Sequence, residues 1–320
     1  VDVLSASWYD NKIAWYENDG QANFTEHVIS NSADGAISVY ATDVDGDGDV
    51  DVLSASWNDN KIAWYENDGQ ANFTEHVISS SAVGASSVFA TDVDGDGDVD
   101  VLSASEYDDK IAWYENDGQA NFTEHVISRS ARGAVSVYAT DLDGDGDVDD
   151  VLSASEDDSK IAWYENDGQA NFTKHVISGS ARGAVSVYAT DLDGDGDVDV
   201  LSASWGDDKI AWYENDGQAN FTKHVISTAA DDARSVYATD LDGDGDVDVL
   251  SASYKDDKIA WYENDGQANF TEHVISRSAR GAVSVYATDL DGDGDVDGRL
   301  IRMIRSPGMR MMGKRISPSM

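Results

Sequence analysis

The sequence predicts an all-β fold, a β-propeller of four-stranded blades, and three observations carry that prediction. The string KIAWYENDGQANFT occurs six times, with its tryptophan at Trp15, Trp64, Trp113, Trp163, Trp212 and Trp261. Successive copies are 49, 49, 50, 49 and 49 residues apart, a period that marks a repeat architecture. Each copy holds four short β-branched or aromatic runs split by turn formers, with no sustained helical period. The only two prolines lie in the last 14 residues.

The second copy shows the elements in order. Strand A, SVYATD (38–43), alternates Val39 and Ala41 against Tyr40 and Thr42. Strands B (DVLSASW, 51–57), C (KIAWYE, 61–66) and D (FTEHVIS, 73–79) follow. The turns DGDGD, NDN and NDGQAN separate them. The chain opens inside strand B, from Val3, and its last regular strand is an A, SVYATD at 284–289. The N-terminal B, C and D strands are therefore expected to pair with that C-terminal A into one blade. With five complete blades this gives six, or seven if the natural chain continues. Closure of this kind removes exposed strand edges.

Residues 1–297 form the expected propeller domain and 298–320 an irregular basic tail. One reading of the tail is a disordered or membrane-touching segment. The favoured reading is a frameshifted seventh repeat. A codon choice for AWYENDGQANFTEH, read one base out of frame, gives PGMRMMGKRISPSM, which is residues 307–320.

The formal net charge is -42, from 63 acidic and 21 basic residues, yet 41% of residues are hydrophobic, with 9 Trp and 14 Tyr. A core is affordable, and so much acid repels nucleic acid and anionic membranes while attracting cations. With no cysteine, disulfides, thiol catalysis and Cys-ligated zinc are excluded. No apolar run reaches the roughly 18 residues of a membrane span. Val1 falls inside a repeat, so the natural N-terminus is expected upstream, and the lack of a visible signal peptide carries no weight.

The acid concentrates in the A–B turn, which reads D-x-D-G-D-G-D-V-D six times. The loops are Asp43, Asp45, Asp47, Asp49 and Asp51; Asp92, Asp94, Asp96, Asp98 and Asp100; and Asp141, Asp143, Asp145, Asp147 and Asp149. Three more follow: Asp191, Asp193, Asp195, Asp197 and Asp199; Asp240, Asp242, Asp244, Asp246 and Asp248; and Asp289, Asp291, Asp293, Asp295 and Asp297. Alternate carboxylates on a tight loop can converge on one point, and Gly46 and Gly48 supply the permissive backbone. Position 7 (Asp49) would offer its main-chain carbonyl and turn its side chain to solvent. An all-oxygen, carboxylate-rich cage suits Ca²⁺ better than Zn²⁺ or Mg²⁺, giving up to six sites. Without a cation, the carboxylates would repel one another with nothing basic nearby. An EF-hand is excluded because position 12 is Ser54 and the flanks are strands. The doubled Asp149-Asp150 is expected to distort the third site.

The loop D-x-D-G-D-G-x-x-D between two strands, repeated through residues 1–297, resembles the FG-GAP/VCBS repeats of integrin α-subunit propellers and of bacterial or fungal surface proteins. That resemblance implies a calcium-bearing propeller, usually extracellular, used in adhesion or glycan binding and sometimes attached to an enzyme domain. Such propellers usually have seven blades, whereas this chain shows six.

The copies differ mainly in the B–C turn and the D–A connection, which share one end of the blade, opposite the acidic loops. Loops that vary on a constant scaffold are the expected ligand face. Trp8, Trp57, Trp205 and Tyr254 occupy equivalent B–C positions, replaced by Glu106 and Glu156 in the other two copies. Exposed aromatics beside aspartates suit sugar recognition. Arg132, Arg182 and Arg280 suit carboxylated sugars or acidic peptides. The alternative is that the aromatics fill gaps between blades and the variation is drift. The repeated histidines (His27, His76, His125, His175, His224 and His273) and the serines of LSAS are expected to be structural. The expectation is therefore a calcium-stabilised, extracellular or cell-surface binding module for a glycan or protein, without catalysis of its own. A structural spacer, or the accessory domain of a polysaccharide- or lipid-processing enzyme, is the alternative.

Overall fold

A computed structural model describes residues 2–20, 23–146, 150–289 and 296–299. The chain is all-β, a six-blade β-propeller whose five complete blades are antiparallel and four-stranded, with no helix among the described residues. β1 (Val3–Ser7), β2 (Lys12–Asn18) and β3 (Phe24–Ser30) form a three-stranded sheet. Five complete blades follow in the order A-B-C-D. They are β4–β7 (Ala36–Thr42, Asp51–Ser56, Lys61–Asn67, Phe73–Ser79) and β8–β11 (Ala85–Thr91, Asp100–Ser105, Lys110–Asn116, Phe122–Ser128). Next are β12–β15 (Ala134–Thr140, Asp150–Ser155, Lys160–Asn166, Phe172–Ser178) and β16–β19 (Ala184–Thr190, Asp199–Ser204, Lys209–Asn215, Phe221–Ser227). The fifth is β20–β23 (Ala233–Thr239, Asp248–Ser253, Lys258–Asn264, Phe270–Ser276). Finally β24 (Tyr286–Thr288) pairs with β25 (Asp297–Arg299).

For this last A strand the sequence expected closure on the N-terminal B, C and D strands. The C-terminal A strand takes the segment after its own loop, with Thr288 opposite Asp297, as Thr42 lies opposite Asp51 in β4–β5. The local hairpin register decides this partner. Gly298 and Arg299, assigned to the tail from sequence, extend the strand. The rest of the tail, 300–320, lies outside the described residues.

The chain divides into two compact units. The first, Leu4–Trp15 with His27–Ala181, contains blades β4–β7, β8–β11 and β12–β15. The second, made of the described residues of 2–3, 16–26 and 182–299, contains β16–β19, β20–β23 and the β24–β25 pair. Within each unit, consecutive blades stack through their apolar faces. In the first, Leu53, Ala55, Ile62 and Trp64 of one blade meet Val88, Ala90, Val101, Ala112 and Tyr114 of the next. The same positions recur in the second unit as Leu201, Ala203, Ile210 and Trp212 against Val236, Ala238, Val249, Ala260 and Tyr262. Strand B is buried on both sides, so all six residues of each complete B strand are inaccessible. The serines of LSAS lie there, sealed from solvent.

Strand A contributes two kinds of contact between blades. Ser38 Oγ accepts from the Val88 N–H and Ser186 Oγ from the Val236 N–H, both at 3.3 Å. Rings also meet along the A strands: Tyr40, Phe89 and Tyr138 in the first unit and Tyr188, Tyr237 and Tyr286 in the second, 4.5–5.0 Å apart.

Candidate metal centres and the variable turns

The acidic loops are shaped by their own backbone. Asp43 accepts from Gly46 N–H (2.8 Å) and Gly48 N–H (3.0 Å), while Asp45 and Asp47 accept from the amides two residues on. Gly46 and Gly48 take φ of 77° and 95°, a backbone that side chains rarely adopt. These amide dipoles offset part of the repulsion for which the sequence offered no relief.

Among the described residues, five groups of aspartates bring one oxygen each within 4.8 Å of the others. They are Asp43, Asp45 and Asp51; Asp92, Asp94 and Asp96; Asp141, Asp143 and Asp145; Asp191, Asp193 and Asp199; and Asp240, Asp242 and Asp248. The donor set fits a hard cation: all oxygen, mostly charged, on loops with room for carbonyl and water ligands. Burial, with neighbouring carboxylates adding to it, pushes Asp45, Asp94, Asp143, Asp193 and Asp242 up from the usual carboxylate range. Of the other expected ligands, Asp147, Asp149, Asp291, Asp293 and Asp295 lie outside the described residues, and Asp297 is placed only as a strand position.

Position 9 does more than the sequence suggested. Asp51 is fully buried; one oxygen accepts from Val44 N–H at 3.0 Å and the other from Asn67 N–H at 2.7 Å. It thus ties the start of the loop to the end of strand C while each oxygen keeps a lone pair. Asp100, Asp199 and Asp248 repeat the arrangement. Burial pushes the carboxyls of Asp51 and Asp100 up to about 6, and those of Asp199 and Asp248 to about 7. Asp2 makes the equivalent bond to Asn18 N–H, 2.9 Å, ahead of β1.

In the third loop Asp150 takes the buried position-9 role, accepting from Leu142 N–H and Asn166 N–H at 3.2 Å each; Asp149, assigned there from the sequence, lies outside the described residues. The extra residue is absorbed in the loop because β13 keeps the DVLSAS register, with Thr140 opposite Asp150. That six-residue string was the signal available in the sequence.

Position 7 is also placed differently from expectation. The Asp49 side chain is half-buried rather than directed into solvent, and lies over Gly69 of the C–D turn. A β-carbon on Gly69 would sit 2.5 Å from Asp49 Oδ2. Asp98, Asp197 and Asp246 cover Gly118, Gly217 and Gly266 in the same way.

At the opposite end of the blades, the D–A connection between two complete blades bridges two B–C turns. Ala82 N–H donates to Asn60 O, while Gly84 O and Val83 O accept from Glu106 N–H and Tyr107 N–H of the next blade. The first unit gathers Trp8, Trp57 and Tyr107 into a row, with ring centres 4.9 and 4.8 Å apart. Trp57 Nε1 donates to Glu106, 2.9 Å away, so the residue that replaces tryptophan in the next copy anchors its neighbour. Trp8 and Trp57 are half-buried, whereas Tyr9 and Tyr107 are 59% and 62% exposed. Sequence comparison fixed on the first residue of the turn and missed these two, although Tyr follows that position in both WYDN and EYDD.

The second unit differs. Trp205 and Tyr254 face the Arg234 guanidinium, 5.6 and 5.8 Å from their ring centres, and Arg234 pairs with buried Asp232 at 2.6 Å. These two rings are occupied from within the chain. Arg132, Arg182 and Arg280 are exposed; the backbone carbonyls of Arg132 and Arg182 hold the next B–C turn. Each repeat histidine stacks on the tryptophan of strand C, 4.4–4.7 Å between ring centres. In the five complete blades it also bonds the strand-C glutamate, as His76 does Glu66 at 2.8 Å.

The fold and loops define a class: a repeat β-propeller with an aspartate-rich loop between the first two strands of each blade. The family model for the FG-GAP-like repeat matches residues 1–54, 43–103, 92–149, 148–202, 191–251 and 240–297. The chain belongs to that family. No curated protein matches it. Solved structures share the fold at low identity. A protein from Lactobacillus plantarum has TM-score 0.70 at 14% identity, over 99% of this chain and 96% of that one. A lectin from Agrocybe aegerita that recognises non-reducing terminal N-acetylglucosamine has TM-score 0.60 at 18% identity, covering 87% and 81%. The periplasmic gluconolactonase of Pseudomonas aeruginosa has TM-score 0.58 at 14% identity, covering 83% and 76%.

Proposed function

We propose that this chain is a calcium-stabilised binding module of an extracellular or cell-surface protein, with no catalysis of its own. The observation that carries this reading is the repeated convergence of three aspartate oxygens within 4.8 Å on loops between the first two strands. Asp43, Asp45 and Asp51 and their equivalents would hold the ion, with Asp150 in the third loop. The bound cation would neutralise the cluster and pin the loop. Sites of this kind in extracellular modules bind in about the 10⁻⁴–10⁻³ M range, which suits a calcium-rich compartment.

The ligand would be a glycan or a protein, taken at the B–C and D–A turns of the first unit. There the Trp8–Trp57–Tyr107 row ends in the exposed Tyr107 ring, and a ring face with acceptors beside it fits sugar stacking. The absence of catalysis is supported by burial of the LSAS serines in the five complete blades and by the structural partners of every repeat histidine. A glycan array probed in calcium and in chelator tests the reading, with Tyr107→Ala as the control. Calcium-dependent binding that falls at least tenfold in Tyr107→Ala is expected. Binding to nothing, by a chain folded in calcium, would favour the spacer reading.

A further inference from the structure

We propose that the asparagine ending strand C couples neighbouring acidic loops, so that cations fill adjacent loops cooperatively. This rests on the cation-binding reading above and adds a role for residues outside the carboxylate clusters.

The bonds run without a break through the first unit. Asn116 Nδ2 donates to Val44 O in the preceding blade's loop and to Val99 O in its own, both at 3.0 Å. Val44 lies between Asp43 and Asp45, and its N–H is held by Asp51. The backbone N–H of Asn116 donates to Asp100 at 2.7 Å, and the other oxygen of Asp100 takes Val93 N–H. Val93 O then accepts from Asn166 Nδ2 at 3.0 Å, and Asn166 N–H donates to Asp150, which also holds Leu142 N–H. Three loops are joined in series. The second unit repeats the link: Asn264 Nδ2 donates to Leu192 O (3.0 Å) and Val247 O (3.1 Å), and Asn264 N–H to Asp248 (2.8 Å).

Asn116, Asn166 and Asn264 are 1%, 3% and 2% exposed, so their donors have no water to turn to and depend on these carbonyls. A cation drawn in by Asp43 and Asp45 fixes the peptide between them, and with it the direction of Val44 O. That orders Asn116, whose N–H anchors Asp100 of the next loop. The first ion thereby supplies part of the ordering that the second ion needs, which is positive coupling without a change of fold. Coupling of ordinary size would tighten the second site about fivefold or more. Asn67 provides the contrast: it is half-exposed and, among the described residues, its Nδ2 reaches only Val50 O in its own loop.

The test is isothermal titration of calcium chloride into the chelator-treated full chain, comparing wild type, Asn116→Asp and Asn67→Asp. Asn116→Asp keeps an oxygen for the Gly118 and Ala120 N–H groups that Asn116 Oδ1 now binds, and deletes the donor between loops. Asn67→Asp adds the same charge beside a loop but cuts no link between loops. Wild type and Asn67→Asp should titrate with a Hill coefficient above 1, and Asn116→Asp with the same stoichiometry and a lower coefficient. Calcium uptake without cooperativity, or an Asn116→Asp chain as cooperative as wild type, overturns the coupling and leaves the cation reading standing. No uptake by wild type overturns both. Should Asn116→Asp not fold, hydrogen exchange of the wild type at half-saturating calcium decides: protection must rise together at 43–51 and 92–100, and independent rises contradict the proposal.

Discussion

Asp100 shows how much one side chain carries. Its oxygens hold the N–H groups of Val93 and Asn116 in a fully buried setting. Asp100→Ala would orphan both donors, at a cost of about 2–4 kcal/mol. Asp47, exposed and bonded only to Asp49 N–H, should cost less than about 1 kcal/mol as Ala in chelator. Urea unfolding of both variants checks the contrast, and equal losses would contradict it. The same buried carboxyls give a pH signature. Asp199 and Asp248 titrate near 7 in the folded, cation-free chain, against 3.8 as the ordinary value. Between those values the folded chain holds protons that the unfolded chain has released, so stability rises as the pH falls from 8 toward 5. Calcium reverses the slope, because it binds the ionised form. Urea midpoints at pH 5.5 and 8, in chelator and in calcium, measure both signs. A double Asp199→Asn, Asp248→Asn variant should flatten the chelator slope, separating these two groups from general acid repulsion.

At the scale of elements, the C–D turn and the acidic loop form one structure. Gly69 has φ of 71° and no room for a β-carbon beside Asp49, whereas Gly46 has φ of 77° and open space. Both alanine variants incur backbone strain of about 1–2 kcal/mol, but only Gly69→Ala displaces Asp49. Gly69→Ala should therefore lose more stability, measured by thermal melts in calcium. The strands themselves were legible because a period of two and β-branched runs report backbone direction directly. Strand A begins at Ala36 rather than Ser38 because a bulge lets Ala36 still find Ser56, and bulges leave no mark in alternation. Which aspartate of the Asp149-Asp150 pair enters the cage depends on where the loop absorbs a residue, and the direction of Asp49 depends on a turn about 20 residues away in sequence. Likewise Trp8 and Trp205 look equivalent in sequence, yet Arg234 of a strand A fills the space beside one and not the other.

For the molecule as a whole, 63 acidic residues against 21 basic ones mean that repulsion opposes folding unless cations intervene. Monovalent salt should recover part of the stability of the chelated chain by screening exposed pairs, but little of what the converging loop oxygens lose. The central claim is that these loops are cation cages which hold the blades together. Its most direct test is a thermal melt of the full chain in excess chelator and across a calcium titration, with magnesium and matched ionic strength as controls. The account predicts a large rise in melting temperature specific to calcium, saturating in the range of about 10⁻⁴–10⁻³ M. A melt that calcium leaves unchanged, or that sodium and magnesium shift equally, would contradict it.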